Sequence, residues 1–255
     1  MPIFRANEKL VLYAHLPKCG GSAVSWYLTE RFGPIAFNDT RHTRHDPRSL
    51  WSRTSPQHVD RTSLGRLFPA GFFDATFTIV RHPVARLVSA FHFQVEVEQR
   101  VPVTANFSEW LEDVIERQGE DPFLFDNHVR PMDDIVPEGA QVFHMEHGLD
   151  ALVPWFDVLT GTKDGPRALP RINARGNYAK VRSAETVPSQ HDLDLIAHHY
   201  RGDFERFGYV PDRKDPASPP PVLSAAQQAE RDAALARMNN PVGRIARKLR
   251  RRLRA

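Results

Sequence analysis

Apolar positions along the chain alternate between two periods. Val11 to Ala14 and Ala75 to Val80 are short apolar or β-branched runs that predict buried strands, and Gln141 to Met145 predicts a third. Apolar residues at helical spacing follow each run. Val24, Tyr27, Leu28 and Phe32 form one face of a helix over 22–32, with Gly33-Pro34 as its stop. Val84, Leu87, Val88, Phe91 and Val95 mark another, which begins near Pro83, a favourable first-turn residue. Asn106 to Glu109 reads as a capping box for a helix that reaches Gln118 and stops at Gly119. Further helices are predicted over 64–68, over 150–159, and from a Ser189 cap, with Asp192 three residues on, through Phe207. Strands separated by helices require crossover connections, hence an α/β fold: a three-layer sandwich with a central parallel sheet flanked by helices.

The polar stretch 37–61 breaks this pattern and predicts a long loop carrying His42, His45 and His58. Periodicity also divides the chain into a folded domain over 1–210, a proline-rich linker over 211–224 and a helical basic tail over 225–255. The helix over 225–238 reads as separate and solvated, broken at Asn239-Asn240-Pro241. Beyond it, Val242, Ile245, Leu249 and Leu253 recur at helical spacing among cations, the pattern of a basic amphipathic helix on an anionic membrane surface. The last dozen residues hold seven of the 34 basic side chains and none of the 31 acidic ones, so residues 1–240 carry a net charge of −4. The overall charge of +3 therefore belongs to the tail and does not mark a nucleic-acid-binding domain.

With 255 residues and 41% apolar content the chain can bury one full core. No run approaches membrane-spanning length and the N-terminus lacks signal-peptide order, so the expectation is a cytoplasmic protein, peripheral at most on the inner face of a membrane. Cys19 is the one cysteine, which excludes an intrachain disulfide. His198-His199 and the His42/His45 pair lack further ligands, and no metal is expected.

The loop between the first predicted strand and helix reads Pro17-Lys18-Cys19-Gly20-Gly21-Ser22-Ala23. Its glycines let the backbone approach a ligand while the first helical N–H groups point at it unpaired, a place that suits a phosphate-like anion. A nucleotide-triphosphate loop puts its lysine after the last glycine, whereas Lys18 precedes the pair. That order resembles the PKTGGTS loop of sulfotransferases, which holds the 5′-phosphosulfate of 3′-phosphoadenylyl sulfate (PAPS). The second strand–loop–helix, VRHPVARLVSAF with Arg81, Arg86 and Ser89, resembles the same family's 3′-phosphate motif. FDNHVRP, VFHME and YRGDFERFGY resemble its carbohydrate-directed group, and the likeness spans about residues 10–210.

This resemblance implies a P-loop NTPase-like fold and transfer of a sulfuryl group from PAPS to a hydroxyl acceptor, a carbohydrate or glycolipid. It places Pro17, Lys18, Cys19, Gly20, Gly21, Ser22 and Ala23 around the 5′-phosphosulfate, and Arg81 with Ser89 on the 3′-phosphate. Cys19 and Ala23 stand where the family commonly has hydroxyl residues, and His82 where aspartate is commoner. The acceptor must lose a proton, and His58, just before the short helix at 64–68, matches the histidine that the family sets between the two motifs; His42 and His45 are lesser candidates. His15 is read as ending the first strand, His128 as a residue of the acceptor cleft, and Arg175 with Gly176 to Lys180 as a late loop completing the nucleotide pocket.

Two other functions compete. A nucleotide-dependent kinase would share the loop–helix geometry, but no Gly-Lys-Ser/Thr and no strand-end Asp for magnesium is present. A catalytically silent, membrane-associated glycan-binding protein of the same fold would explain the hydroxyls missing at Cys19 and Ala23.

Overall fold

Strands β1 (Ile3–Ala6), β2 (Lys9–Ala14), β3 (Ala75–Val80) and β4 (Gln141–His144) make one sheet in that order. The computed structural model describes residues 1–39, 41–42, 46–50, 52–170, 183–240 and 243. Parallel pairing sets Val11 opposite Ala75 and Phe77 opposite Gln141. The hydrophobic pattern did not predict β1, which adds an antiparallel edge with Phe4 opposite Val11. It joins β2 through a tight Asn7-Glu8 turn, where Asn7 takes a φ of 56°, a left-handed conformation that asparagine tolerates better than most residues.

The helices are α1 (Gly21–Phe32), α2 (Arg61–Leu67), α3 (Pro83–Glu96), α4 (Phe107–Glu120), α5 (Leu152–Thr160), α6 (Gln190–His199), α7 (Arg201–Phe207) and α8 (Ala225–Asn239). Alternation along the strands sorts side chains into two layers of core. Phe4, Val11, Tyr13, Phe77 and Ile79 join Tyr27 and Leu28 of α1 and Phe156 of α5 in the larger cluster. Ile3 and Leu12, offset by one residue, turn to the other face and meet Met1 and Leu64 of α2. The sheet thus lies between helices, as predicted. Thr78 is the fully buried polar residue of β3, and its hydroxyl donates to the Ala14 carbonyl at 2.8 Å.

Several boundaries differ from the sequence reading. Two single-turn 3₁₀ segments, Pro47–Ser49 and Pro56–His58, interrupt the loop over 37–61. Asn106 accepts from the Ser108 amide without a reciprocal bond from Glu109, and α4 continues past Gly119. The helix predicted over 189–207 divides at Tyr200, whose buried hydroxyl donates to the Val129 carbonyl at 2.7 Å; the Ser189–Asp192 capping box is present. Nor is α8 free-standing, since Glu230 pairs with Arg167 at 2.8 Å and Arg231 with Asp150 at 3.4 Å. His45, Arg175, Gly176 to Lys180 and the basic tail from Arg244 onward lie outside the described residues. Among the described residues no helix is long and apolar enough to cross a membrane.

Candidate active site

Parallel strands bring their C-terminal ends together, and the loops that leave them build the site. β2 runs through His15 into a loop where Lys18 and Gly20 both turn left-handed, with φ of 68° and 83°. For a lysine that conformation costs about 1–2 kcal/mol, so something must hold it. Arg86, buried in α3, donates from Nε to the Pro17 carbonyl at 3.2 Å, and Arg81 donates to the Lys18 carbonyl at 3.2 Å. Arg86 of the second motif thus fixes the loop of the first. Gly21 is required by contact: a Cβ there would fall 1.7 Å from Nε2 of His15.

Gly20 caps α1 and brings no side chain to the helix start, while its carbonyl accepts from the Ala23 and Val24 amides at 3.0 and 3.3 Å. Lys18 precedes this helix start in the chain, with Nζ 3.7 Å from the centroid of the Phe93 ring. Burial, and then the Arg81 charge beside it, lower the Lys18 ammonium to about 7. Two neighbouring cations near a helix N-terminus are electrostatically unfavourable alone and well suited to a multiply charged anion. Ser22 is exposed at this helix start and Ser89 half-buried in α3. Cys19 turns away into the core, 3.6 Å from the Pro17 carbonyl, and burial pushes its thiol up to about 12. Its side chain therefore packs, as does that of buried Ala23, and a hydroxyl at either place would face protein. His82 is buried as well; its amide donates to Glu146 at 2.8 Å and its Nε2 lies 3.1 Å from the Val210 carbonyl.

His58 closes the 3₁₀ turn before α2, and its Nδ1 lies 2.8 Å from Oδ2 of Asp126. Asp126 also accepts from the Ser55 amide at 2.6 Å and the Ser55 hydroxyl at 2.8 Å. Burial works to raise this carboxyl, but the opposing pull of His58 and of the Ser55 amide holds it well below the usual carboxylate range. An ionised Asp126 accepts a hydrogen bond from Nδ1–H and so leaves the lone pair of His58 on Nε2. The backbone that presents it is unusual: Phe125, Asp126 and Asn127 all have left-handed φ, from 52° to 60°, without a glycine. Asn127 anchors the turn by donating to the His58 carbonyl at 2.7 Å.

Two more histidines pack on His58. The His15 ring lies 5.0 Å away and the His128 ring 5.2 Å away, and burial foremost lowers both well below the ordinary imidazole value, so both are neutral. His15 therefore does more than end a strand: with Gly21 on one side and His58 on the other, it bridges the glycine loop to the candidate base. His128 lies beneath His58 against Phe93 and Gln94. Donor atoms of His58, Asp126 and His128 lie within 4.8 Å of one another, and the hydrogen bond between the first two already accounts for their approach. His42 is buried elsewhere, and its Nε2 has no partner among the described residues. Asp126 was not singled out from the sequence; the one signal that touched it was the FDNHVRP string.

The sulfotransferase family model matches residues 1–210. No curated protein and no solved structure matches the chain.

Proposed function

The chain belongs to the sulfotransferase family, and from that premise we propose that it moves a sulfuryl group from PAPS to a hydroxyl of a carbohydrate acceptor. The observation that carries the reading is the oriented His58–Asp126 pair, joined through His15 to an anion-binding loop. Bound PAPS would supply a sulfuryl group on a phosphate leaving group. Lys18, Gly20, Gly21 and Ser22 hold the 5′-phosphosulfate in this reading, and Arg81 with Ser89 the 3′-phosphate. The Lys18 charge and the α1 amides favour negative charge as it gathers on the leaving phosphate. His58 Nε2 receives the acceptor's proton as the acceptor oxygen bonds to sulfur and the sulfur–oxygen bond to phosphate breaks. Asp126 keeps the imidazole in the required tautomer and stabilises the imidazolium. The basic tail would dock the enzyme on an anionic membrane surface.

The test is to incubate the full chain with PAPS and a panel of glycans while measuring released 3′-phosphoadenosine 5′-phosphate (PAP). Glycan-dependent PAP release is expected without added magnesium. ATP consumption instead would favour the kinase, and glycan binding without turnover the silent protein.

A further inference from the structure

The parallel strands β3 and β4 end side by side, with Val80 opposite His144. His82 and Glu146 each lie two residues beyond that pair, so the sheet register brings the start of α3 to the single 3₁₀ turn Met145–His147 that follows β4. There the Glu146 carboxylate is shared between two donors. Oε1 accepts from the His82 amide at 2.8 Å and Oε2 from the Tyr209 hydroxyl at 2.8 Å. Burial first, and then the Glu146 charge, raise Tyr209 above the ordinary phenol value, so its hydroxyl stays a donor.

The end of α7 and the residues after it close over this junction. The His82 ring stands edge-on to Phe204 and Tyr209, with centroids 5.5 and 5.3 Å apart, and Nε2 of His144 lies 2.8 Å from the Phe207 carbonyl. His82, Phe204, Phe207 and Tyr209 are all buried, so close packing leaves the His82 amide little freedom. Arg81 comes immediately before it. Among the described residues its guanidinium donates one hydrogen bond, to the Lys18 carbonyl at 3.2 Å, which leaves most of a five-donor fork for a phosphate.

We propose that Glu146, braced by Tyr209, is a positioning residue that aims Arg81 at the 3′-phosphate of the nucleotide and so sets the chain's preference for a 3′,5′-bisphosphate over a 5′-monophosphate; the inference rests on the sulfotransferase reading for the identity of that nucleotide. A two-bond grip of guanidinium on phosphate is fixed in direction as well as distance, so it depends on how the peptide between Arg81 and His82 is turned. Glu146 fixes that peptide by its N–H. Its charge alone would act the other way, because a carboxylate near a phosphate weakens anion binding and its removal would strengthen it. The loop of Lys18 keeps a separate brace, since Arg86 donates to the Pro17 carbonyl.

The test is calorimetric binding of PAP and of adenosine 5′-phosphate to the full chain, read as the ratio of the two affinities. The unaltered chain should favour PAP by about tenfold or more, the lower end of what a hydrogen bond to a charged group is worth. Glu146→Ala should lose about tenfold in PAP affinity while its affinity for the monophosphate stays within about twofold, whereas a residue that merely supported the fold would move both together. Glu146→Gln keeps an oxygen for the His82 amide and an NH₂ group for the Tyr209 oxygen, and should bring the ratio back to within about threefold of the original. Tyr209→Phe leaves the carboxylate held on one side and should lower the ratio about threefold. An unchanged ratio in Glu146→Ala overturns the inference, as do equal changes, in either direction, in the Ala and Gln variants. If Glu146→Ala does not fold, Tyr209→Phe decides, and an unchanged ratio in that variant overturns the inference. Failure of the donor assignment looks different: an unaltered chain that binds the two nucleotides equally has no 3′-phosphate site for Arg81 to serve.

Discussion

Replacing Asp126 with asparagine tests the chemistry at its most specific point. The carboxylate accepts three hydrogen bonds, from the Ser55 amide, the Ser55 hydroxyl and His58 Nδ1. In Asp126→Asn the amide oxygen can keep the Ser55 amide, which turns the NH₂ group toward His58 as a donor. Nδ1 must then accept, the ring proton moves to Nε2, and the base loses the lone pair that receives the acceptor's proton. The corresponding change in Ser-His-Asp triads costs about 10⁴-fold, and loss of general-base assistance alone about 10²- to 10⁴-fold, so kcat should fall within that range. Loss of the charged hydrogen bonds should lower stability by about 1.5–3 kcal/mol, which leaves a folded protein to assay. PAP-release kinetics give kcat, calorimetry gives the PAP affinity, and circular dichroism reports the fold. The expected result is a collapsed kcat with PAP affinity within about twofold of the original. A folded variant with kcat within about threefold of the unaltered enzyme would refute His58–Asp126 as the base. Because the folded pKa of Asp126 lies below its ordinary value, its stabilisation is full above about pH 4 and is lost as pH falls through the folded value. Acid unfolding should therefore be less steep in the variant.

Lys18→Ala should lower kcat by about 100- to 1000-fold with little change in Tm, since Lys18 holds no ion pair within the described structure; near-normal turnover would remove it from the donor site. With the free ammonium at about 7, PAP binding at pH 8 should take up a proton, read as a buffer-dependent calorimetric enthalpy, and affinity should weaken from pH 7 to 9; Lys18→Ala should show neither. Gly21→Ala should lower Tm, because the new Cβ falls on His15, at an overpacking cost of about 1–3 kcal/mol, and His15→Ala in the same chain should restore most of that loss. The full chain should co-sediment with anionic vesicles at low salt and release at high salt, whereas a chain ending at Asn240 keeps α8 and should do neither; equal sedimentation would deny the tail that role.

The sequence by itself determined the elements whose signals are local. The run Ala75 to Val80 became β3 with the predicted bounds, because a short apolar and β-branched run is a local signal, and Phe77, Ile79 and Val80 all pack in the larger cluster. The Ser189–Asp192 box became the start of α6, because a cap is satisfied within four residues. The strand–loop–helix around Pro17 to Ala23 was legible too, since glycine placement and the position of a lysine are properties of a short string. What depended on distant partners was not legible. β1 is four residues long and becomes a strand only by pairing with β2. The break falls at Tyr200, whose hydroxyl is bonded 71 residues away, at Val129. Sequence neighbourhood brought His58 into view, but Asp126, 68 residues further on, is presented by three left-handed residues with no glycine to announce them. Local preference disfavours that turn, so only tertiary contacts can hold it, among them the Asn127 bond to the His58 carbonyl and the Ser55 bonds to the carboxylate. The carboxylate that orients His58 is delivered by the fold, not by the neighbouring sequence.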